Sequence, residues 1–313
     1  MTLEKSGEFL GEFLKKCFMK ENFNCMLCGS IPFERKGKIR TNRKIIANKV
    51  LECSNCSLVY LNDDTHISDF YYEQSQMHDK QLDLTESRSE TKVDDLRRLR
   101  MLESEIKDKN LVEVGCGNAG FLTLAKHLVK SAVGIEPEKK NYDNFKLEDL
   151  SVYSSINEYA NYLNNNNDDK PDIIVSFHVI EHVKNPLEFL LKVLSLLKPS
   201  GKAYIETPNS NDALIKLYDS SAFRDFTYWD NHLVLFNPKS FEFMLSKITG
   251  ITFQLIPVQR YGVANHLYWL ANGKPGGHQK WNFVENTVMN WQYKELLADL
   301  NLNDTLFYEI TVK

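Results

Sequence analysis

Residues 111–122, Leu-Val-Glu-Val-Gly-Cys-Gly-Asn-Ala-Gly-Phe-Leu, decide the fold of this 313-residue chain. The first four form a mostly apolar run that predicts a buried strand, and the glycines Gly115, Gly117 and Gly120 follow it. Glycine adopts positive φ and lets a ligand approach without a Cβ in the way. G-x-G-x-x-G between a strand and a helix is therefore typical of a nucleotide-sized cofactor site, although a tight strand-to-helix turn alone gives the same pattern.

Two acidic residues narrow the choice of cofactor. Glu136 follows Val133-Gly134-Ile135, where a second strand is expected to end, and an acid at that place binds ribose hydroxyls in dinucleotide folds. Glu113 lies two residues before the first glycine, where it would repel the pyrophosphate of a dinucleotide. S-adenosylmethionine carries cationic groups and no phosphate, so Glu113 favours it, and NAD is the alternative.

Strand and helix patterns alternate between residues 110 and 207. Strands are expected at 110–114, 132–136, 150–153, 172–177 and 202–206, and helices at 119–130, at about 138–147 and from Pro186, with a polar loop at 164–170. This alternation predicts a doubly wound, mostly parallel sheet with helices on both faces. Because ligands bind at the carboxyl ends of such strands, one crevice is expected to be bordered by Gly115, Glu136, Ile156, Phe177 and His178.

Residues 177–183, Phe-His-Val-Ile-Glu-His-Val, are followed by Pro186 and by a Leu-Lys-Pro-Ser-Gly turn at 197–201. Together with the glycine stretch they resemble the motifs of class I S-adenosylmethionine-dependent methyltransferases over about residues 90–210, although Ala119-Gly120 stands where the third glycine usually falls. The resemblance implies a seven-stranded α/β sheet, and it implies that S-adenosylmethionine is bound by Glu113, Gly115, Cys116, Gly117, Glu136, Ile156, Phe177 and His178.

Two C-x-x-C pairs, Cys25/Cys28 and Cys53/Cys56, are separated by 24 residues. That arrangement lets two tight turns present four thiolates to one tetrahedral Zn²⁺. Four thiolates close the coordination shell, so the zinc is expected to be structural. Short strands at 32–36 and 45–51 would complete a small zinc ribbon. Disulfides are the alternative, and a cytosolic compartment disfavours them.

Residues 60–100 predict a connector that leads into a helix over 93–107. In methyltransferases with a zinc module, the segment before the cofactor domain tends to cover the pocket and to contribute a tyrosine. The resemblance therefore implies that Tyr72, with Gln74 nearby, binds the cofactor, and half-buried rings at Tyr71 and Tyr72 are the alternative.

Residues 225–236 combine aromatic side chains with Asp230 and His232, a composition suited to sugar rings. Zinc-module methyltransferases of deoxysugar pathways carry a similar stretch that ends in His-x-x-x-Phe, which His232 and Phe236 match. Those carbon-methylating enzymes have a glutamate where this chain has Asn231. The difference favours oxygen methylation of a sugar or nucleotide-linked sugar, as in bacterial glycan biosynthesis, over carbon methylation of a keto-sugar.

His182 and His232 are the candidate catalytic residues, because an imidazole titrates near neutral pH and can take a proton from an attacking hydroxyl. A backbone-bonded histidine at a helix start is the alternative for His182. The glycine-rich run 265–278 predicts a substrate loop or an exposed turn.

Composition sets the remaining expectations. A net charge of −4 gives no electrostatic reason to expect nucleic acid as a partner. Apolar runs are shorter than the ~18 residues that a membrane span needs, so no membrane insertion is expected. An amphipathic segment at 9–18 is flanked and interrupted by glutamates, unlike a signal peptide, which favours a cytoplasmic protein.

Three parts are expected: an N-terminal helix and zinc module at 1–68, an S-adenosylmethionine domain with its leading helix at 69–210, and an α+β substrate-facing region at 211–313 that completes the sheet. The expected activity is methyl transfer to a small-molecule acceptor. Two other classes stay open, namely an NAD-dependent sugar-modifying enzyme and a zinc-ribbon interaction protein that only binds the cofactor.

Overall fold

The computed structural model describes residues 24–41, 49–67, 71–73, 83–166 and 169–313. The amphipathic segment expected at 9–18, Cys17 and Gln74 lie outside these ranges. Among the described helices, none combines the length and the apolar character that crossing a membrane requires.

The strands in the described ranges, in chain order, are β1 (Pro32–Arg35), β2 (Val50–Cys53), β3 (Val59–Leu61), β4 (Asn110–Val114), β5 (Ser131–Ile135), β6 (Ser151–Tyr153), β7 (Ile173–Phe177), β8 (Lys202–Pro208), β9 (Val234–Leu235), β10 (Ile251–Val258) and β11 (Thr305–Val312). The α-helices are α1 (Leu84–Ile106), α2 (Gly120–Ala125), α3 (Tyr142–Leu147), α4 (Ile156–Asn166), α5 (Pro186–Leu196), α6 (Ala213–Lys216), α7 (Ser221–Thr227), α8 (Pro238–Leu245), α9 (Val263–Asn272), α10 (Gly277–Lys280) and α11 (Thr287–Asp299). Short 3₁₀ turns occur at Lys139–Asn141, Ile180–His182 and Asn282–Val284.

The large sheet has seven strands in the order β10-β11-β8-β7-β4-β5-β6. The pairs from β8 to β6 are parallel, and β11 is antiparallel to both of its neighbours. The doubly wound, mostly parallel α/β sheet predicted from the alternation of strands and helices is confirmed. The expected strands agree with β4 to β8 to within one or two residues at each end.

Side chains alternate between the two faces of this sheet. On β4, Leu111 packs in one apolar core while Val112 and Val114 pack in the other. The first of these cores also holds Phe121 of α2 together with Leu102 and Ile106 of α1. Glu113 therefore points toward the α1 and α2 side, which makes it a buried acid in an otherwise apolar strand.

The small sheet has the order β1-β2-β3-β9, so its fourth strand comes from the segment of the chain between β8 and β10. In the antiparallel pair of β3 and β9, Val59 lies opposite Leu235 and Tyr60 opposite Val234. Asn237, just after β9, donates from Nδ2 to the carbonyl of Ser57 at 2.7 Å. Four cysteine side chains pack in the same core as the face of the large sheet that carries α5 and α8. The cysteine module is thus joined to the large domain by a shared sheet and a shared core.

Several expected elements differ in the structure. The helix expected over 93–107 begins earlier, at Leu84. The helix expected at 119–130 ends at Ala125, because residues 126–130 turn back and pair with the loop before β4 through backbone bonds at Leu128 and Lys130. The polar loop expected at 164–170 begins later, since α4 continues to Asn166.

The run 265–278, expected to be a loop, is largely the helix α9. Its polar residues are buried instead of exposed: Asn265 and His266 face inward, and His266 Nδ1 lies 2.8 Å from the Tyr293 hydroxyl. Buried polar side chains are tolerated when they are hydrogen-bonded inside the protein. The polar residues of this helix therefore gave the sequence the composition of a loop. The glycine-rich part is confined to the turn between α9 and α10.

Candidate functional site

A cavity of about 830 Å³ opens at the carboxyl ends of β4 and β7. Its wall includes the glycine turn, the end of β7 and one side of α1. Of the residues expected from the sequence, the lining contains Glu113, Gly115, Cys116, Gly117, Phe177 and His178. Its further lining residues include Asp94, Asp95, Arg98, Asn118, Lys140 and Arg260.

The glycine turn needs its glycines for two different reasons. Gly115 has φ +76°, and a Cβ there would lie 2.3 Å from Cγ2 of Val179. Gly117 has φ +52°, and no heavy atom lies within 4 Å of the place of its Cβ. Gly115 is therefore required by packing, while Gly117 leaves a cradle beside the cavity that a side chain would fill.

Glu113 is 5% exposed, and its Oε2 atom has no hydrogen-bond partner among the described residues. Burial, followed by the negative charge of Asp95, raises the pKa of Glu113 well above its ordinary value. A buried carboxylate oxygen without a donor is costly, and ligand donors are a common way to satisfy such an atom. The wall of the cavity thus offers an acceptor for a cationic or N–H-bearing ligand group.

Glu136 lies directly after β5, where the sequence places it. Its Oε2 accepts from the backbone N–H of Gly117 at 2.8 Å, and its Oε1 accepts from that of Glu138 at 3.0 Å. Burial raises the pKa of Glu136. Glu136 and Ile156 are not among the cavity-lining residues, and Ile156 packs its half-buried side chain against the core at the start of α4.

A buried network of ions, which the sequence reasoning missed, forms the α1 side of the cavity. Glu206 at the end of β8 is fully buried and accepts from Arg98 Nη2 at 2.6 Å and from Arg97 Nη2 at 2.8 Å. Burial alone would raise the pKa of Glu206, but His178 and the two guanidinium groups hold it well below its usual range. Asp94 of α1 pairs with Arg260, and both residues line the cavity.

His178 connects this network to the next carboxylate. Its Nδ1 lies 3.1 Å from Glu181 Oε1, and its Nε2 lies 3.2 Å from Glu206 Oε1. Burial lowers the pKa of His178, but these two carboxylates outweigh that effect and raise it. The backbone of His178 has φ +55°, a strained conformation for a residue with a Cβ. Such strain beside a cavity is typical of a functional position.

The two histidines expected to act in catalysis lie against each other. The ring centroids of His182 and His232 are 5.1 Å apart, and Trp229 packs edge-on against both rings. His182 Nδ1 lies 2.8 Å from the carbonyl of Asn231, and His232 Nδ1 lies 2.9 Å from that of Thr227. Burial, and then the neighbouring His182, lower the pKa of His232 to about 4.

Neither histidine is in the lining of the cavity, but Glu181 next to His182 reaches the cavity wall through His178. The Tyr72 hydroxyl donates to the backbone carbonyl of His182 at 2.6 Å. Tyr72 therefore lies on the histidine side of the site and outside the cavity lining, and its contact with a cofactor stays a prediction.

The four cysteines expected to bind zinc converge in the small module. Sγ of Cys25 lies 3.5 Å from that of Cys56, and Sγ of Cys28 lies 3.3 Å from that of Cys53. All four Sγ atoms lie within 4.8 Å of one another. These contacts are much longer than the ~2.05 Å of a disulfide bond. Lysine 247 holds the first knuckle through a hydrogen bond from Nζ to the carbonyl of Leu27.

One signal for the missed ion network was present in the sequence. The buried face of α1 consists of Asp95, Arg98, Leu102 and Ile106. On this face the residues near the helix end are apolar, and those nearer its start are charged. Charged residues on the core-facing stripe of a helix indicate buried ionic partners.

Comparison with known proteins gives the site a family. A family model described as a methyltransferase domain matches residues 86–248, just over half of the chain. A ubiquinone biosynthesis O-methyltransferase of Rickettsia bellii (strain OSU 85-389) is 29% identical over 119 residues, which cover 36% of this chain and 48% of that protein. The mitochondrial ubiquinone biosynthesis O-methyltransferase of Dictyostelium discoideum is 32% identical over 116 residues, which cover 32% of this chain and 35% of that protein.

The chain thus spans about half the length of the Rickettsia relative that it matches. Among solved structures, a SAM dependent methyltransferase from Archaeoglobus fulgidus is similar with a TM-score of 0.42 and 20% identity, covering 72% of this chain and 94% of that chain. That likeness is too distant to carry an argument about function. The family match spans the glycine turn, the histidine-bearing turn after β7 and the strand β8. The chain therefore belongs to the methyltransferase domain family, with the class I α/β fold.

Proposed function

We propose that this chain is an S-adenosylmethionine-dependent methyltransferase that methylates a hydroxyl oxygen of a sugar or a nucleotide-linked sugar. The observation that carries the cofactor is the buried Oε2 of Glu113, which has no partner among the described residues and lies in the cavity wall beside the glycine turn. The sulfonium and ammonium groups of S-adenosylmethionine would stabilise the ionised form of this buried carboxyl group, whereas the pyrophosphate of NAD would oppose its ionisation.

The residues present fit this cofactor. Gly117 leaves open space where a side chain would otherwise fill the cradle. Glu136 already accepts two backbone N–H groups, but a carboxylate offers about four lone-pair sites and so retains capacity for ribose hydroxyls. The proposed cofactor contacts are Glu113, Gly115, Cys116, Gly117, Glu136, Ile156, Phe177 and His178, with Tyr72 at the acceptor side.

When bound, the cofactor supplies a methyl group on a sulfonium sulfur, which is displaced in line by the acceptor. The task of the protein is to align the acceptor oxygen, to exclude water and to receive the hydroxyl proton. His182 and His232 are the proposed catalytic residues, because both rings are fixed by backbone carbonyls and lie together beside the cavity wall.

The acceptor is proposed from the surroundings of these histidines. Trp229 is a half-buried aromatic ring that packs against both histidines, and Asp230 Oδ1 is a buried acceptor without a partner among the described residues. Rings and carboxylates in combination suit sugars. The similarity to O-methyltransferases favours oxygen over carbon as the methylated atom, and it makes an aromatic hydroxyl compound the second candidate acceptor.

The cysteine cluster is proposed to hold one structural Zn²⁺. Sulfur atoms around a zinc at ~2.3 Å are roughly 3.8 Å apart in a tetrahedron, close to the spacing of Cys25, Cys28, Cys53 and Cys56. Four deprotonated cysteines would fill the coordination shell of the zinc, so no position would remain for water or substrate.

Calorimetric titration with S-adenosylmethionine and with NAD tests the cofactor, and Glu113→Gln serves as the variant that removes the complementary charge. We expect binding of S-adenosylmethionine alone, weakened in the variant. Transfer of a labelled methyl group to nucleotide sugars, compared with transfer to catechol-type acceptors, tests the acceptor. Binding of NAD alone would refute the proposal, and methylation of catechols alone would replace the sugar by the second candidate.

A further inference from the structure

Beside the cavity, three side chains from two separate parts of the chain form a group distinct from the cysteine cluster. Glu181 and His182 lie on the 3₁₀ turn after β7, and His232 lies on the turn before β9. One ligand-type atom from each lies within 4.8 Å of the others. From this convergence we propose that Glu181, His182 and His232 form a second metal site, for a divalent first-row transition-metal ion.

The two imidazoles are oriented as metal ligands usually are. In each ring Nδ1 lies within 2.9 Å of a backbone carbonyl, Asn231 O for His182 and Thr227 O for His232. A carbonyl only accepts, so the ring proton is assigned to Nδ1 and the lone pair to Nε2. A carbonyl or carboxylate on the far nitrogen is the usual partner that fixes a metal-ligating histidine.

The carboxylate is fixed in the same manner. Glu181 is fully buried, its Oε2 accepts from the Thr207 hydroxyl at 3.0 Å, and its Oε1 lies 3.1 Å from His178 Nδ1. Each oxygen keeps a further lone pair for a cation. A buried carboxylate is ordinarily paired or bound to a metal, and here its surroundings also include two imidazoles.

Two histidines and one carboxylate on one side of an ion are a recognised first-row metal arrangement that leaves positions open. Ligand distances of about 2.0–2.2 Å place such atoms roughly 3–4 Å apart, so a small closure of the present group completes the site. Imidazole ligands favour ions from Fe²⁺ to Zn²⁺ over Mg²⁺ or Ca²⁺, while the thiolates of the cysteine cluster favour softer ions.

Three protein ligands would leave coordination positions open on such an ion. A cation there would bind the acceptor hydroxyl and lower its pKa, as metal ions do for bound water, and the released proton would pass to solvent because the imidazole lone pairs would be occupied by the ion. That role rests on the proposed function, whereas binding of the ion itself does not.

Equilibrium dialysis of the zinc-loaded full chain against 100 µM Co²⁺, followed by elemental analysis, tests the site without cofactor or acceptor. We expect one additional cobalt per chain in the wild type and in His127→Ala, whose histidine is exposed. We expect less than a tenth of that cobalt in His232→Ala and in Glu181→Gln. The visible absorption spectrum of the bound Co²⁺ should be that of an ion with nitrogen and oxygen ligands, not that of an ion bound by thiolates.

Circular dichroism establishes that the variants are folded, and His232→Gln replaces His232→Ala if the latter is not. Absence of bound cobalt beyond the zinc site in the wild type, or equal cobalt in wild type and folded variants, would overturn the proposal. The methyltransferase proposal would survive that result if S-adenosylmethionine still bound and methyl transfer occurred with chelator present, with the imidazoles then acting as bases directly.

Discussion

Replacing Glu206 by glutamine removes one negative charge from the centre of the ion network in the cavity wall. Glu206 is 0% exposed, while the side chains of Arg97 and Arg98 are 20% and 10% exposed. Glutamine has nearly the same shape, so packing is conserved and the change isolates the charge. Its amide N–H₂ group would face guanidinium donors, and Arg98 and His178 would lose their common counter-ion.

The expected cost follows from the burial of the partners. Removing one member of a buried ion pair costs about 3–5 kcal/mol, because the remaining charge stays desolvated. Arg97 also pairs with Asp94 at 3.2 Å and recovers part of the loss, so we expect the lower half of that range. At about 2–4 °C per kcal/mol, the midpoint of thermal unfolding should fall by roughly 6 °C or more.

Urea unfolding followed by tryptophan fluorescence measures this cost, with Glu105→Gln as the control. Glu105 pairs with Lys202 at 2.8 Å, but its side chain is 40% exposed, so its removal should cost about 0–1 kcal/mol. The folded-state pKa of Glu206 is lowered, so its contribution is present above its unfolded pKa of about 4.3 and is lost as pH falls through the folded value. The gap between wild type and Glu206→Gln should therefore narrow below about pH 4. A cost equal to that of Glu105→Gln at pH 7 would refute the reasoning.

Three further changes test the proposed sites. The pKa of the Glu113 carboxyl group is raised, so binding of the cationic S-adenosylmethionine should release a proton from it. The release would be measured at pH 7 as a binding enthalpy that depends on the ionisation enthalpy of the buffer. This buffer dependence should vanish in Glu113→Gln, and its persistence in that variant would assign the proton to another group. Cys28→Ser should lower bound zinc from one per chain to a small fraction and unfold the small module, and elemental analysis that finds no zinc in the wild type would exclude the site. His232→Ala should lower kcat by at least about 10²-fold while the affinity for S-adenosylmethionine stays within twofold, with His127→Ala unchanged; full activity would remove His232 from the chemistry.

The parts of the fold that could be predicted are those with local patterns. A dozen residues are enough to predict the structure in three places: the apolar run around Glu113, the glycines after it and the leucine-rich segment from Pro186. The strand β4 has the expected bounds and α5 begins at Pro186 as expected, although the helix after the glycines is shorter than expected. The pairing of β11 between β8 and β10 depends on contacts about 100 residues apart, so its exact position could not be read from any one segment.

The candidate site divides in the same way. Glu113 and the glycines were found because a motif ties them to a neighbouring strand. Arg98 and Glu206 were missed because their meaning depends on each other, and they are 108 residues apart. His182 and His232 were each singled out by motif, but only the fold shows that their rings are neighbours instead of facing each other across an acceptor.

The strand β9 has a consequence for the order in which this protein is made. The last of the four cysteines is residue 56, but the strand that completes their sheet is made only when Val234–Leu235 are translated. At 5–20 residues per second, translation delays that closure by roughly 10–40 seconds. During this interval β3 is an open edge, and unpaired edges are templates for wrong pairing. If the proposed zinc were bound early by the nascent cysteines, it would hold the first three strands in register until β9 is made, and metal supply during synthesis would then affect the yield of folded protein.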